Sequence, residues 1–216
     1  MFRAFSFCTI IDLDLVLFTT MKNIIYLILI GLWLNTACTN TEKVDMAALS
    51  AKAEKLQDGD AAVEMIINHK SFYTSNLPFN TQVRILPQSF KASLMDSTKG
   101  NIEIELIKNN WDKTTPISFT FTNTTLGKPM VDQVIFMVGK LINEASQIGE
   151  GYILAEGKIE IKELTKARII IELQGNLTKP GDATVPENYV PIQGAIIIKR
   201  PKFTPDSSKD LIQSLK

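Results

Sequence analysis

The sequence predicts a mainly β domain, an antiparallel β-sandwich or barrel of about eight strands, preceded by a short N-terminal helical segment. From about residue 82 onward, apolar side chains recur with period two, the signature of strands with one buried and one wet face. Turn residues interrupt this pattern at hairpin-length intervals. No long helical pattern falls between the strands, so a parallel α/β arrangement is excluded.

The elements follow in chain order. Residues 46–69 read as a short helical segment. Met46, Leu49, Ala53 and Leu56, spaced by three and four, make one apolar stripe on a helix. Gly59 breaks that pattern, and Asp60 is placed either to cap a second short helix carrying Val63, Ile66 and Ile67 or to begin a strand. The β-rich domain is expected over 82–200. Its strands are read at Phe90–Leu94, Ile102–Leu106, Ile117–Phe121, Val134–Leu141, Tyr152–Ala155, Ile159–Ile161, Ala167–Leu173 and Ala195–Lys199. Turns are expected between them at Asp96–Gly100, Asn109–Asn110, Gly127–Lys128–Pro129, Gly149–Glu150–Gly151, Glu156–Gly157 and Lys179–Asp182. Residues 201–216 form a polar tail, either a loose end or a short docked helix.

Composition excludes several classes. The 216-residue chain carries 23 basic and 23 acidic residues, so it lacks the basic footprint of a nucleic-acid partner. One His and two Cys rule out zinc-finger spacing, a disulfide framework and a multi-His metal cage. No cofactor is expected. The dinucleotide fingerprint, the phosphate loop, the G-x-S-x-G elbow and H-E-x-x-H are all missing.

The apolar residues are concentrated in residues 1–37, which read as a leader rather than as core. Met21-Lys22 opens a positive n-region, and the eleven residues Ile24–Leu34 form an apolar h-region. That run is too short for the roughly 20 residues of a spanning helix, and extending it upstream brings in Asp12, Asp14 and Lys22. With Thr36-Ala37-Cys38-Thr39-Asn40 after it, this order resembles a bacterial lipoprotein signal and its lipobox, of the loose kind found in Bacteroidetes. The box departs from the usual pattern by having Asn35 three places before the Cys, with Leu34 one place further out.

The resemblance implies a type II signal peptide cut before Cys38. The thiol then carries a diacylglycerol and the amine is acylated, palmitate being the expected chain. The other cysteine, Cys8, lies upstream of Met21, so a start at Met21 leaves Cys38 as the one thiol of the mature chain. Residues 1–20 are then an upstream extension, and residues 38–45 are the lipidated Cys and a polar tether. The implied location is the cell envelope, lipid-anchored at the outer membrane on its periplasmic or surface face, with the membrane as a partner through the anchor.

Candidate sites are few. Trp111, in the polar stretch Asn109-Asn110-Trp111-Asp112-Lys113, is either a ligand platform or a plug over one end of the sheet. Tyr73, with Phe72 and Phe79, either lines a pocket mouth or covers the edge of the core. Glu103 and Glu105 share one strand face, as a glycosidase carboxylate pair would require, and that face also suits plain solvation. His69 is a lone surface-type His beside Lys70, and Asp58 and Asp60 only begin a calcium-loop pattern that Ala62 does not continue. Asp96-Ser97-Thr98 resembles a short O-glycosylation acceptor of exported proteins. No catalytic residue is assigned. The expectation is a lipid-anchored envelope protein acting as a non-enzymatic binding or interaction module, with two alternatives. One is a barrel holding a small apolar ligand, and the other is a glycan-active hydrolase.

Overall fold

The computed structural model describes residues 43–73, 76–113, 116–122 and 133–216. The leader, Cys38 and the expected turn at Gly127–Lys128–Pro129 lie outside the described residues. Residues 42–216 form one compact unit.

The helix forms where the stripe predicts it. α1 spans Met46–Glu54, and Asp45 caps it by accepting from the amides of Ala47 and Ala48, each at 3.0 Å. Ten strands follow: β1 (Asp60–Ile67), β2 (Lys70–Ser71), β3 (Phe79–Leu86), β4 (Ser89–Met95), β5 (Asn101–Ile107), β6 (Ile117–Phe121), β7 (Gln133–Asn143), β8 (Ile148–Leu164), β9 (Arg168–Thr178) and β10 (Val190–Lys199). A second short helix, α2, spans Lys209–Ser214.

Eight of these strands close into an antiparallel barrel in the order β1-β3-β4-β5-β7-β8-β9-β10, with β10 pairing back onto β1 from Ala61–Ile198 to Ile67–Ile192. Between sandwich and barrel, the sequence left the choice open, and closure decides it. β2 makes a small hairpin with β1. β6 pairs with the far half of β8, along the same edge that β7 uses nearer the start of β8, and so fills the wedge where β7 peels away.

Closure gives the alternate side chains a single interior. Phe79, Phe90, Phe119 and Phe136 are each no more than 1% exposed, packed with Met65, Ile85, Ile104, Ile161, Ile171 and Ile196. A buried aromatic or branched side chain of this size contributes about 1.5–3 kcal/mol through burial. Gly194 makes room for Met65 opposite it, because a Cβ at Gly194 would collide with the Met65 sulfur.

Residues 60–67 are a strand, not a second helix. The inward set Ala61, Val63, Met65 and Ile67 faces the interior, while the outward Ala62 lies beneath Leu49 and Ala53 of α1 together with Ala195 and Ile197. Burial on both faces turns alternation into a continuous apolar run, and Val63, Ile66 and Ile67 then mimic helical spacing. The helical segment therefore ends at Glu54 rather than near residue 69, and the β domain starts at Asp60 rather than 82.

Two expected turns are absent because β8 runs unbroken from Ile148 to Leu164. Gly149 and Gly151 are strand residues paired with Leu141 and Gly139. Gly157 faces Gly175 across the β8–β9 pair, between register shifts at Leu154/Glu156 and Ile161/Glu163. Both glycines have positive φ, 150° and 158°. A Cβ on Gly157 would lie 2.8 Å from the Gly175 Cα, and one on Gly175 would lie 2.6 Å from the Gly157 Cα. The two backbones meet where any side chain would push them apart, which lets the long strand bend without ending.

The tail is docked. After Lys199 the chain turns back through Arg200, whose φ is 41°, and runs beside β3. Thr204 donates to the Val83 carbonyl at 2.8 Å, Ser208 to the Ile85 carbonyl at 2.8 Å, and the Ser207 hydroxyl accepts from the Ile85 amide at 3.3 Å. This strap satisfies the part of the β3 edge that overshoots β1, since β1 and β3 pair only at Asp60–Asn80 and Ala61–Phe79.

Gly157→Ala is expected to lower the unfolding free energy by about 1–3 kcal/mol in urea titration, because the added Cβ overpacks a backbone contact. Gly181→Ala, where nothing lies within 4 Å of an added Cβ, is expected to stay within about 0.5 kcal/mol of the parent. Equal effects at the two sites would contradict the close-approach account.

Candidate functional site

The barrel has two ends, and each residue singled out from the sequence falls at one end or on the wall. At one end, Trp111 is a plug. Its turn, Trp111–Lys113, tucks the indole to 1% exposure, with Nε1 donating to the Leu86 carbonyl at 2.8 Å and the ring edge-on to Phe90 at 5.8 Å. A cleft of about 340 Å³ lies beside it, between the end of β8 and α2, rimmed by Asp112, Glu163, Thr165 and Ser214. Its acids are already paired, Asp112 with Lys113 at 3.0 Å and Glu163 with Arg168 at 2.7 Å.

At the opposite end, Tyr73 spans the mouth. Its hydroxyl is placed to donate to the Asn101 carbonyl at 2.8 Å or the Gly139 carbonyl at 3.1 Å, reaching from the chain after β2 to β5 and β7. Phe72 and Phe79 flank its ring edge-to-face at 4.9 and 5.0 Å. Trp111 and Tyr73 are therefore not brought together. Each covers core, and neither presents an open aromatic face.

Sequence reasoning missed the polar latch beside Tyr73. Lys140 donates to the Phe72 carbonyl at 2.8 Å, sits 4.2 Å above the Phe72 ring and lies 3.5 Å from Glu150. Tyr152 donates to Glu150 at 2.7 Å. Lys140 continues the inward row of Val134, Phe136 and Val138, so period two predicted its direction. The reading of Gly149–Gly151 as a turn hid that Glu150 lies opposite it and Tyr152 opposite Val138.

Asp96 anchors the neighbouring β4–β5 turn. Its Oδ1 accepts from the Gly100 amide at 2.7 Å, the Thr98 amide at 2.8 Å and the Thr98 hydroxyl at 2.9 Å, leaving Ser97 and Thr98 exposed. His69 is exposed in the β1–β2 turn, where Asn68 and His69 take φ values of 49° and 63°. Asp58 pairs with Arg200 at 3.1 Å.

Glu103 and Glu105 lie on the outer wall, with Lys91 of the next strand 2.6 Å from one and 3.9 Å from the other. Glycoside hydrolysis needs two carboxyl groups facing across a cleft that admits the sugar. Here an ammonium group sits between them on a barrel wall. Inside the barrel, aromatic and branched side chains pack against one another as one buried cluster.

What stands out is an unequal distribution of exposed apolar side chains. β7 and β8 extend past the start of β5 as a two-stranded ribbon, with a bulge between Leu141 and Asn143. Ile142, unpaired in that bulge, and Ile148, paired with Asn143, lie near its tip and are 62% and 56% exposed. Met95 at the end of β4 is 57% exposed, and Val185 in the β9–β10 connection is 37% exposed. All four are at the Tyr73 end. The other large exposed apolar residues among those described, Ile135 and Met137, are on the wall leading to that ribbon.

Compared with known proteins, the chain matches no family model, no curated protein and no solved structure.

The latch gives a pH signature. Burial, then the hydrogen bond and charge of Glu150, push the Tyr152 phenol up to about 12, while burial and the Asp96 carboxylate also push Tyr73 upward. A phenol that ionises less readily folded than unfolded stabilises the fold fully below its unfolded value of about 10, and loses that contribution as pH rises through the folded value. The phenols' contribution to stability is expected to be constant up to about pH 10 and to fall from there toward 12, with a shallower fall in Tyr152→Phe. Denaturant midpoints across that range check it, and a Tyr152→Phe profile identical to the parent would contradict the latch.

Proposed function

We propose that this chain is a lipid-anchored protein of the bacterial cell envelope, tethered through an acylated Cys38, whose barrel acts as a non-enzymatic interaction module. The single observation that carries the reading is the order of charged start, short apolar run and Cys38, followed by a short polar stretch and then a domain with its own core. The h-region of Ile24–Leu34 is too short to serve as a spanning helix, so membrane attachment falls to the cysteine. Two or more acyl chains hold a protein stably at a bilayer, since each buried methylene contributes about 0.8 kcal/mol.

The barrel supports the interaction part of the reading through what it lacks room for and what it displays. Its interior is occupied by its own side chains, and both ends are plugged by aromatics. Binding then belongs to the outside, where Ile142, Ile148, Met95 and Val185 are exposed at one end. Solvent-exposed apolar groups gathered at one place are what contact surfaces use.

Cys38→Ala is expected to move the protein from the membrane fraction to the soluble fraction, with its unfolding transition unchanged. Fractionation with metabolic labelling by a palmitate analogue reads both attachment and acylation. Unchanged membrane partitioning of Cys38→Ala, or label retained by it, would overturn the anchor.

A further inference from the structure

We infer that the Tyr73 end of the barrel lies against the lipid bilayer, with Ile142 and Ile148 of the β7–β8 ribbon dipping into its interfacial layer; this rests on the proposed anchoring through Cys38. Two independent features point the same way. The first is the direction from which the chain enters the domain. α1 packs along the outer wall with its C-terminal end at Lys199, whose ammonium donates to the Glu54 carbonyl at 2.7 Å and the Leu56 carbonyl at 2.8 Å. At its other end, Val44 and Met46 line one pocket with Glu160 of β8, Glu172 and Gln174 of β9, and Gln193 and Ala195 of β10. β10 starts at Val190, at the Tyr73 end, and finishes at Lys199. Followed from its N- to its C-terminus, α1 therefore runs from the Tyr73 side toward the Trp111 end, and the chain enters α1 from the Tyr73 side.

Reach sharpens the point. At ~3.3–3.6 Å per residue the chain from Cys38 to Met46 spans at most about 28 Å. A bilayer-bound Cys38 thus keeps the Tyr73 end within reach of the surface, and the Trp111 end could meet it only if the tether doubled back along α1.

The second feature is the apolar rim. Three of the hairpins at the Tyr73 end each carry a large exposed apolar side chain, Met95 at the end of β4, Ile142 and Ile148 at the tip of β7–β8, and Val185 between β9 and β10. None of the large exposed apolar residues among those described lies in a connection at the Trp111 end or in the strand residue next to one. Charges near the ribbon neutralise one another, Lys140 with Glu150 and Lys99 with Glu144 at 3.3 Å. Contact through this rim is therefore apolar and does not require anionic lipid.

The test places a tryptophan at each end of residues 38–216, coupled through Cys38 to a maleimide-bearing phospholipid in phosphatidylethanolamine–phosphatidylglycerol vesicles that contain nitroxide-labelled lipid. Ala145→Trp reports from the ribbon tip and Lys209→Trp from α2, with buried Trp111 as the common background. Quenching is expected at residue 145 and not at 209. It is expected to persist when the phosphatidylglycerol fraction is lowered or salt is raised, and to be lost when Ile142→Ser and Ile148→Ser are added. Quenching at both ends, at 209 alone or at neither would overturn the orientation, as would loss of quenching on lowering the anionic lipid. The chemical coupling replaces cellular acylation, so a failed orientation and a failed anchor give separate results.

Discussion

The pairing of the first barrel strand with the last is the constraint on which the rest of the structure depends. β10 hydrogen-bonds β9 along its whole length and β1 from Ala61 to Ile67, so the sheet has no free side where an inward Ile or Phe could meet water. Once the sheet closes, period two has only one consequence: even-numbered and odd-numbered residues go to opposite sides of a wall. Closure also explains why both ends are plugged. A filled barrel still exposes its end layers, and Trp111 and Tyr73 cover those layers with their own polar atoms satisfied, each donating a hydrogen bond to a strand carbonyl.

The same constraint separates what could be read in the sequence from what could not. β4, β5, β7 and β9 have one wet face, and their alternation was legible. β1 is buried against the interior on one side and α1 on the other, so its pattern lost the period that identifies a strand. β8 was divided in two because glycine signals a turn locally, whereas Gly157 and Gly175 are needed for two backbones to touch in mid-strand, a relation between residues far apart in the chain. The expected number of strands was eight and the barrel has eight, yet the sets differ. β3 was not named, β1 was left open between helix and strand, two readings merge into β8, and β6 stands outside the closed circuit.

Of the candidate site, the aromatics were visible as aromatics in polar stretches, and the structure assigns each to covering one end of the core. The ribbon was not visible. Ile142 and Ile148 flank a polar tip and look like ordinary strand ends; only the point where β5 stops pairing with β7, at Asn101–Gly139, shows that the strands go on past the rim. Glu103 and Glu105 are held by Lys91, and the exposed apolar residues are gathered at the end toward which the N-terminus of α1 is directed.

The central claim is that β1 and β10 close the barrel and make its interior one cooperative unit. Native-state hydrogen exchange of the β1 and β10 amides tests it most directly. Closure predicts that amides within 62–66 and 193–197 exchange only through global unfolding, with the same free energy as the most protected amides of β4 and β5. Exchange at β1 and β10 through a smaller opening, while β4 and β5 stay protected, would show that the sheet opens along this pair, and would contradict the closed barrel.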